Sequence, residues 1–284
     1  MNFRKVGVVG SGIMGGGIAE VAATAGATVI LRSRTLDTAD ALLEGLDKSL
    51  AKKVVKQGLS PDDATSIRGR VSATVDFEEL SDCDLIIESV VEDLAIKKRI
   101  FGELDRVMKP EAILATNTST LSVMALATMI SYPERVCGLH FFNPATTMTL
   151  VEIVRPLSAS DETIEAVTKF ALACGKEPVE VKDQAGFIVN ALLFPYLNHA
   201  IRLLEQEVAT IEGIDLAMKG GCGFPMGPFA LLDLVGLDTS LAILDALYLA
   251  FDDAHFAPEP LLRQMVSDGR LGRKSGVGFY DYRQ

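Results

Sequence analysis

Three scarcities narrow the chain before any motif does. It has four cysteines, Cys83, Cys137, Cys174 and Cys222, scattered without a C-x-x-C pair. Neither a disulfide framework nor a zinc or other metal site is expected, and a reducing cytoplasm fits best. Positive charge is in deficit: 27 Lys and Arg face 38 Asp and Glu, a net charge of −11. That argues against nucleic acid or an anionic membrane as a partner through the overall field, so an anionic ligand must be held by a local site. No run of eighteen apolar residues is present, so no transmembrane helix is expected. The apolar stretch after Arg4-Lys5 is broken by Gly10, Gly12, Gly15, Gly16 and Gly17, and reads as a strand and helix rather than a signal peptide. There is no internal repeat and no low-complexity segment. What remains is 284 residues with 49% apolar and 23% charged content, enough for one large or two ordinary globular domains.

Residues 1–183 alternate β-branched runs with helical patterns. Strands are predicted over 5–10, 28–32, 71–74, 84–90, 112–116, 135–139, 150–154 and 178–181. Helices are predicted after the first strand, over 37–57 (ended by Gly58 and then Pro61), 95–108 and 161–174. The alternation predicts an α/β, Rossmann-type doubly wound, mostly parallel sheet. From 184 to 284 the period is helical throughout, which predicts an all-helical second domain with a compact tail R-K-S-G-V-G-F-Y-D-Y. Its apolar helices over 230–234 and 241–251 exceed what about 100 residues hide alone, so a homodimer through this domain is expected.

Gly10-Ser11-Gly12-Ile13-Met14-Gly15 matches G-x-G-x-x-G. Alone the match is weak, but here it follows a strand and opens a helix within a βαβ unit, as dinucleotide binding requires. The glycines permit the tight turn, backbone approach to a pyrophosphate and close helix–strand packing. The bland alternative is a glycine-rich turn without ligand. At the end of the second strand, where an acid usually holds the adenosine ribose, the chain reads Leu31-Arg32-Ser33-Arg34. Arginines around a small hydroxyl suit a 2′-phosphate better than a bare hydroxyl, so NADP is expected over NAD, unless both arginines are merely solvated.

Of the three histidines, His199 falls in a helix and His255 in a turn. His140 ends a predicted strand, where a doubly wound sheet lines its ligand crevice. Glu152 interrupts the apolar run Leu150–Val154, and a carboxylate buried there needs a partner, which an imidazole can be. Such a pair can take the proton from a carbinol as a nicotinamide takes its hydride. Ser119 and Asn190 are candidate neutral donors to the same oxygen, although turn and capping roles compete for both. The helix over 37–57 also carries Lys48, Lys52 and Lys56 at i, i+4 and i+8, either a solvated face or a local anion-binding stripe.

The whole chain resembles the L-3-hydroxyacyl-CoA dehydrogenase family, and most of all its bacterial 3-hydroxybutyryl-CoA dehydrogenases. The resemblance rests on G-S-G-I-M-G, E-S-V-V-E-D at Glu88–Asp93, N-T-S-T at Asn117–Thr120 and H-F-F-N-P at His140–Pro144. D-Q-A-G-F-I-V-N at Asp183–Asn190 and G-R-K-S-G-V-G-F-Y at Gly272–Tyr280 complete it. It implies His140 as the base, Glu152 as its orienting partner, and Ser119 and Asn190 as contacts to the substrate oxygen. It also implies that Glu92, Lys97, Ser119, Asn143 and Lys274 line the nicotinamide half of the cofactor, and that Ser49 and Lys56 contact CoA. The family's ribose-binding acid is replaced by Ser33. The expected activity is reversible hydride transfer between an (S)-3-hydroxyacyl-CoA, 3-hydroxybutyryl-CoA above all, and a nicotinamide cofactor. Two other readings remain at this point: a dehydrogenase of a free hydroxy acid, and a non-catalytic, crystallin-like dinucleotide-binding protein.

Overall fold

The computed structural model describes residues 3–283; positions 1, 2 and 284 of the two expected domain ranges lie outside them. The chain divides into two compact units, Met1–Gln184 and Ala185–Gln284. The first contains eight strands: β1 (Lys5–Val9), β2 (Thr28–Arg32), β3 (Val71–Thr74), β4 (Leu85–Glu88), β5 (Ile113–Thr116), β6 (Val136–Phe141), β7 (Leu150–Arg155) and β8 (Glu177–Lys182). Its helices are α1 (Ile13–Thr24), α2 (Leu36–Gln57), α3 (Pro61–Gly69), α4 (Leu94–Val107), α5 (Val123–Ala127) and α6 (Asp161–Ala173).

One sheet runs in the order β3-β2-β1-β4-β5-β6-β7-β8. Strands β1 to β6 are parallel. Loop 142–149 is too short for a crossover, so β7 returns antiparallel to β6, and α6 then carries the chain to β8, parallel to β7. The central strands are apolar on both faces: Val6, Val8, Leu85, Ile86, Ile87 and Leu114 are all fully buried, as helices on both sides of a sheet demand. Strand order reverses between β1 and β4, and a crevice for a ligand opens beyond the carboxyl ends of those strands.

Two differences from the sequence expectation go beyond shifted bounds. Pro61 does not merely follow a helix end; it opens α3, with the Ser60 hydroxyl accepting from Asp63 N at 3.0 Å. Proline is tolerated in the first turn because that N–H has no intrahelical partner anyway. Strand β6 also runs on to Phe141, so His140 lies within the strand rather than at its end.

The second unit packs α7 (Val189–Glu205), α8 (Ile211–Cys222), α9 (Pro228–Val235), α10 (Leu237–Phe251) and α11 (Pro260–Ser267) around Leu197, Ile201, Phe229, Leu232, Leu244 and Leu262. Among the described residues no single helix is long and apolar enough to cross a membrane, and α9 and α10 meet at 96°. The tail after α11 is held by a buried acid. Asp233 accepts from Phe279 N and Tyr280 N, both at 2.9 Å, and from the Tyr282 hydroxyl at 3.1 Å. Burial pushes its pKa up against the pull of those bonds and of Arg270. Asp233→Ala strands two backbone donors, so a loss of about 1–3 kcal/mol is expected, read as a lower urea midpoint.

Candidate active site

The glycine loop meets the steric requirements of a dinucleotide cradle. Gly10 has φ +138°, and a Cβ there would lie 2.2 Å from the Ser89 carbonyl oxygen; one on Gly15 would lie 2.1 Å from that of Gly10. Gly12, in contrast, faces open space. It is the N-cap of α1 and offers no side-chain acceptor, so the first N–H groups of the helix remain available to an anion. The loop therefore fits a pyrophosphate. Ser11, Gly12 and Ile13 also border a cleft of about 380 Å³ that runs past Gly16, Gly17 and Glu20 of α1, Leu42 and Ser49 of α2, and Pro144–Thr146.

The end of β2 separates the three residues expected near the ribose. Arg32 stacks its guanidinium 3.9 Å above the Phe77 ring and donates to Val75 O at 3.2 Å. Ser33 is 1% exposed and its hydroxyl pairs with that of Thr38 in the capping box of α2. Its hydroxyl is thus directed into the helix start and away from the surface. Arg34 alone is exposed.

Antiparallel pairing sets His140 directly opposite Glu152, on the same face of the sheet at side-chain contact distance. Strand β8 covers the far side of β7, so Glu152 is no edge residue; it is fully buried. Its Oε2 lies 2.6 Å from His140 Nδ1, and the Ser119 hydroxyl lies 3.1 Å from Nε2. A carboxylate on Nδ1 fixes the proton there and leaves the Nε2 lone pair for exchange with a ligand oxygen. The Phe142 ring stands 4.5 Å from the imidazole, centroid to centroid. Asn117, after β5, ties the strand ends together: its Oδ1 accepts from Phe141 N at 2.8 Å and its Nδ2 donates to Ser89 Oγ at 3.2 Å.

The other expected residues are distributed unevenly. Lys97 has no exposed surface; its ammonium donates to both oxygens of buried Glu88, at 2.8 and 3.1 Å. Its side chain is turned to that carboxylate and shows nothing toward open space. Glu92, at 37% side-chain exposure, faces the Asn117–Thr120 turn, and Asn143 is exposed in the loop after β6. Asn190 and Lys274 belong to the helical unit, Asn190 buried at the second position of α7 and Lys274 paired with Asp238. Ser49 is half-buried on the cleft wall, and Lys48, Lys52 and Lys56 are exposed, Lys48 beside Glu44.

Three supporting residues have no role in the sequence reading. Glu88 closes the apolar run L-I-I-E of β4, the same signal that marked Glu152. Lys176, nearly buried, donates to Ala145 O and Met148 O at 2.6 and 2.7 Å and so pins the loop between β6 and β7. Asp183 caps α5, accepting from Val123 N at 3.0 Å and Met124 N at 2.7 Å. Nothing in local sequence announces Lys176, and Asp183 is marked only as the head of D-Q-A-G-F-I-V-N, without its partner.

Residues 5–184 match the family model described as 3-hydroxyacyl-CoA dehydrogenase, NAD binding domain, and residues 186–282 match the corresponding C-terminal domain. A nicotinamide dinucleotide is thus the cofactor class. The chain is 45% identical to a 3-hydroxybutyryl-CoA dehydrogenase of Clostridioides difficile, over 98% of this chain and 99% of that protein. It is 44% identical to a probable 3-hydroxybutyryl-CoA dehydrogenase of Deinococcus radiodurans, over 98% of this chain and all of the relative. The crystal structure of (S)-3-hydroxybutyryl-CoA dehydrogenase from Ralstonia eutropha superposes with a TM-score of 0.96 at 38% identity, covering 99% of this chain and 100% of that one. With both units matched end to end, the chain belongs to the 3-hydroxyacyl-CoA dehydrogenase family.

Proposed function

We propose that this chain reversibly oxidises (S)-3-hydroxyacyl-CoA to 3-ketoacyl-CoA, with 3-hydroxybutyryl-CoA the favoured substrate and NADP favoured over NAD. The observation that carries the reading is the hydrogen-bonded run Ser119–His140–Glu152, which joins the turn after β5 to the last residues of β6 and to β7. A nicotinamide dinucleotide held by the glycine loop supplies the hydride acceptor. His140 Nε2 takes the carbinol proton during oxidation and returns it during reduction. Glu152 keeps the other ring nitrogen protonated and faces the charge that develops on the imidazole, in a site where burial strengthens that attraction. The Ser119 hydroxyl, within hydrogen-bond range of Nε2, orients the oxygen that loses its proton. Arg34 supplies the charge for a 2′-phosphate.

Oxidation of NADPH by acetoacetyl-CoA but not by acetoacetate is the expected result. Turnover of the free acid at an equal rate would replace the thioester with a hydroxy acid. No turnover of either would leave a binding protein.

Ser49 and Lys56 on α2 are the proposed CoA contacts. Because Lys56 is exposed, Lys56→Ala is expected to raise KM for acetoacetyl-CoA by only about three- to tenfold, with KM for the cofactor unchanged. Equal thioester KM in both proteins would return the lysine run to a solvated face. The helical unit exposes the side chains of Leu192, Leu216, Leu234 and Leu249, apolar area that a homodimer would cover, and sedimentation is expected to give twice the chain mass. The four free cysteines fit a reducing, cytoplasmic compartment.

A further inference from the structure

Glu92 spends one carboxylate oxygen on a single turn. Its Oε1 accepts from the Thr118 hydroxyl at 2.5 Å, Ser119 N at 2.8 Å, Thr120 N at 3.0 Å and the Thr120 hydroxyl at 3.3 Å. The turn has no helix or strand partners of its own at those N–H groups, so this oxygen is their acceptor. The second oxygen, Oε2, lies 3.5 Å from the Lys97 ammonium. Lys97 in turn is fixed by Glu88, whose Oε2 accepts from Thr116 at the end of β5 at 2.7 Å and whose Oε1 accepts from Val90 N at 2.6 Å. A continuous polar chain therefore runs from the buried ends of β4 and β5 to the backbone of Ser119.

We propose that Glu92, backed by the buried Lys97–Glu88 pair, is the positioning residue that holds the Ser119 hydroxyl in register with His140 Nε2. The inference rests on the function proposed above, and it stands beside the cofactor contacts that the resemblance implies for Glu92 and Lys97. The Ser119–His140 separation is 3.1 Å, so a displacement of about 1 Å takes it beyond hydrogen-bond range. Partial burial works to raise the Glu92 pKa, but the Lys97 charge and the bonds from the turn outweigh it and keep the carboxylate ionised. A glutamine cannot serve both sides: with its oxygen on the turn, its NH₂ meets the Lys97 ammonium, donor against donor.

Glu92→Gln is expected to lower kcat by about 10–100-fold. In a Ser119→Ala background the same substitution is expected to cost no more than about twofold, because the group it positions is gone. Thr118→Val is the companion variant: Thr118 is fully buried and donates to the same Glu92 oxygen, and a smaller fall in kcat is expected. A full kcat penalty in the Ser119→Ala background, or an unchanged kcat in Glu92→Gln, would overturn the proposal. Amide exchange separates this result from failure of the functional reading. Faster exchange at Ser119 and Thr120 in Glu92→Gln is expected whatever the substrate. An inactive wild type overturns the activity, whereas unchanged exchange overturns the anchor.

Discussion

His140→Ala is expected to lower kcat by about 10²–10⁴, the range for loss of a general base, with cofactor affinity nearly unchanged. The expectation follows from where the ring is held. The imidazole is 4% exposed and clamped between Glu152 and Ser119, so alanine leaves no group able to take the carbinol proton at that point. Water in its place would lack the orientation the two partners give. Glu152→Gln separates geometry from charge: the amide oxygen can still accept from Nδ1–H, but the imidazolium loses its counter-charge. Oxidation should fall steeply and its pH–rate profile should move, with the fold retained because β7 stays paired on both sides. Steady-state rates with 3-hydroxybutyryl-CoA across pH check both. Wild-type kcat in His140→Ala removes the histidine from the mechanism.

How far this arrangement was legible depends on the range of each interaction. β-Branched runs and the glycine loop are local signals, so the strands around the crevice stand where the pattern put them. The approach of Glu152 to His140 was half legible. Burial demands a partner for a strand carboxylate, but only the short return from β6 to β7 makes the two residues face each other. The same argument applied to Glu88 would have found a buried acid. Its partner, Lys97, lies on the next helix and looks in sequence like any surface lysine. Ser33 shows another limit. Spacing located it at the end of β2, whereas the direction of its hydroxyl is set by Thr38, three residues into the following helix. Proline misled for a related reason: Pro61 stops α2 in sequence and starts α3 in space, and the Ser60 cap decides between those roles.

On the proposed reading, the selectivity for cofactor turns on one exposed guanidinium. Arg32 is committed to Phe77 and Val75, and Ser33 to Thr38. That leaves Arg34 as the residue of this segment able to meet a 2′-phosphate. Its fork pairs with phosphate oxygens, and the neutral Ser33 beside it avoids the repulsion an acid would cause. kcat/KM with NADPH is therefore expected to exceed that with NADH by about tenfold or more, the value of one charge-assisted hydrogen bond. Arg34→Ala should erase most of the difference by raising KM for NADPH alone, because NADH has no 2′-phosphate to lose. Adding Ser33→Asp should then reverse the order. A carboxylate extends beyond the hydroxyl now turned toward Thr38, accepts from the free ribose hydroxyls of NADH, and repels the phosphate of NADPH. The combined swing in the kcat/KM ratio is expected to be on the order of 100-fold, two such contacts exchanged. Parallel kinetics with both cofactors on the wild type, the single variant and the double variant decide it. Wild-type enzyme that uses NADH as well as NADPH would leave Arg34 a solvated residue with no part in selecting the cofactor.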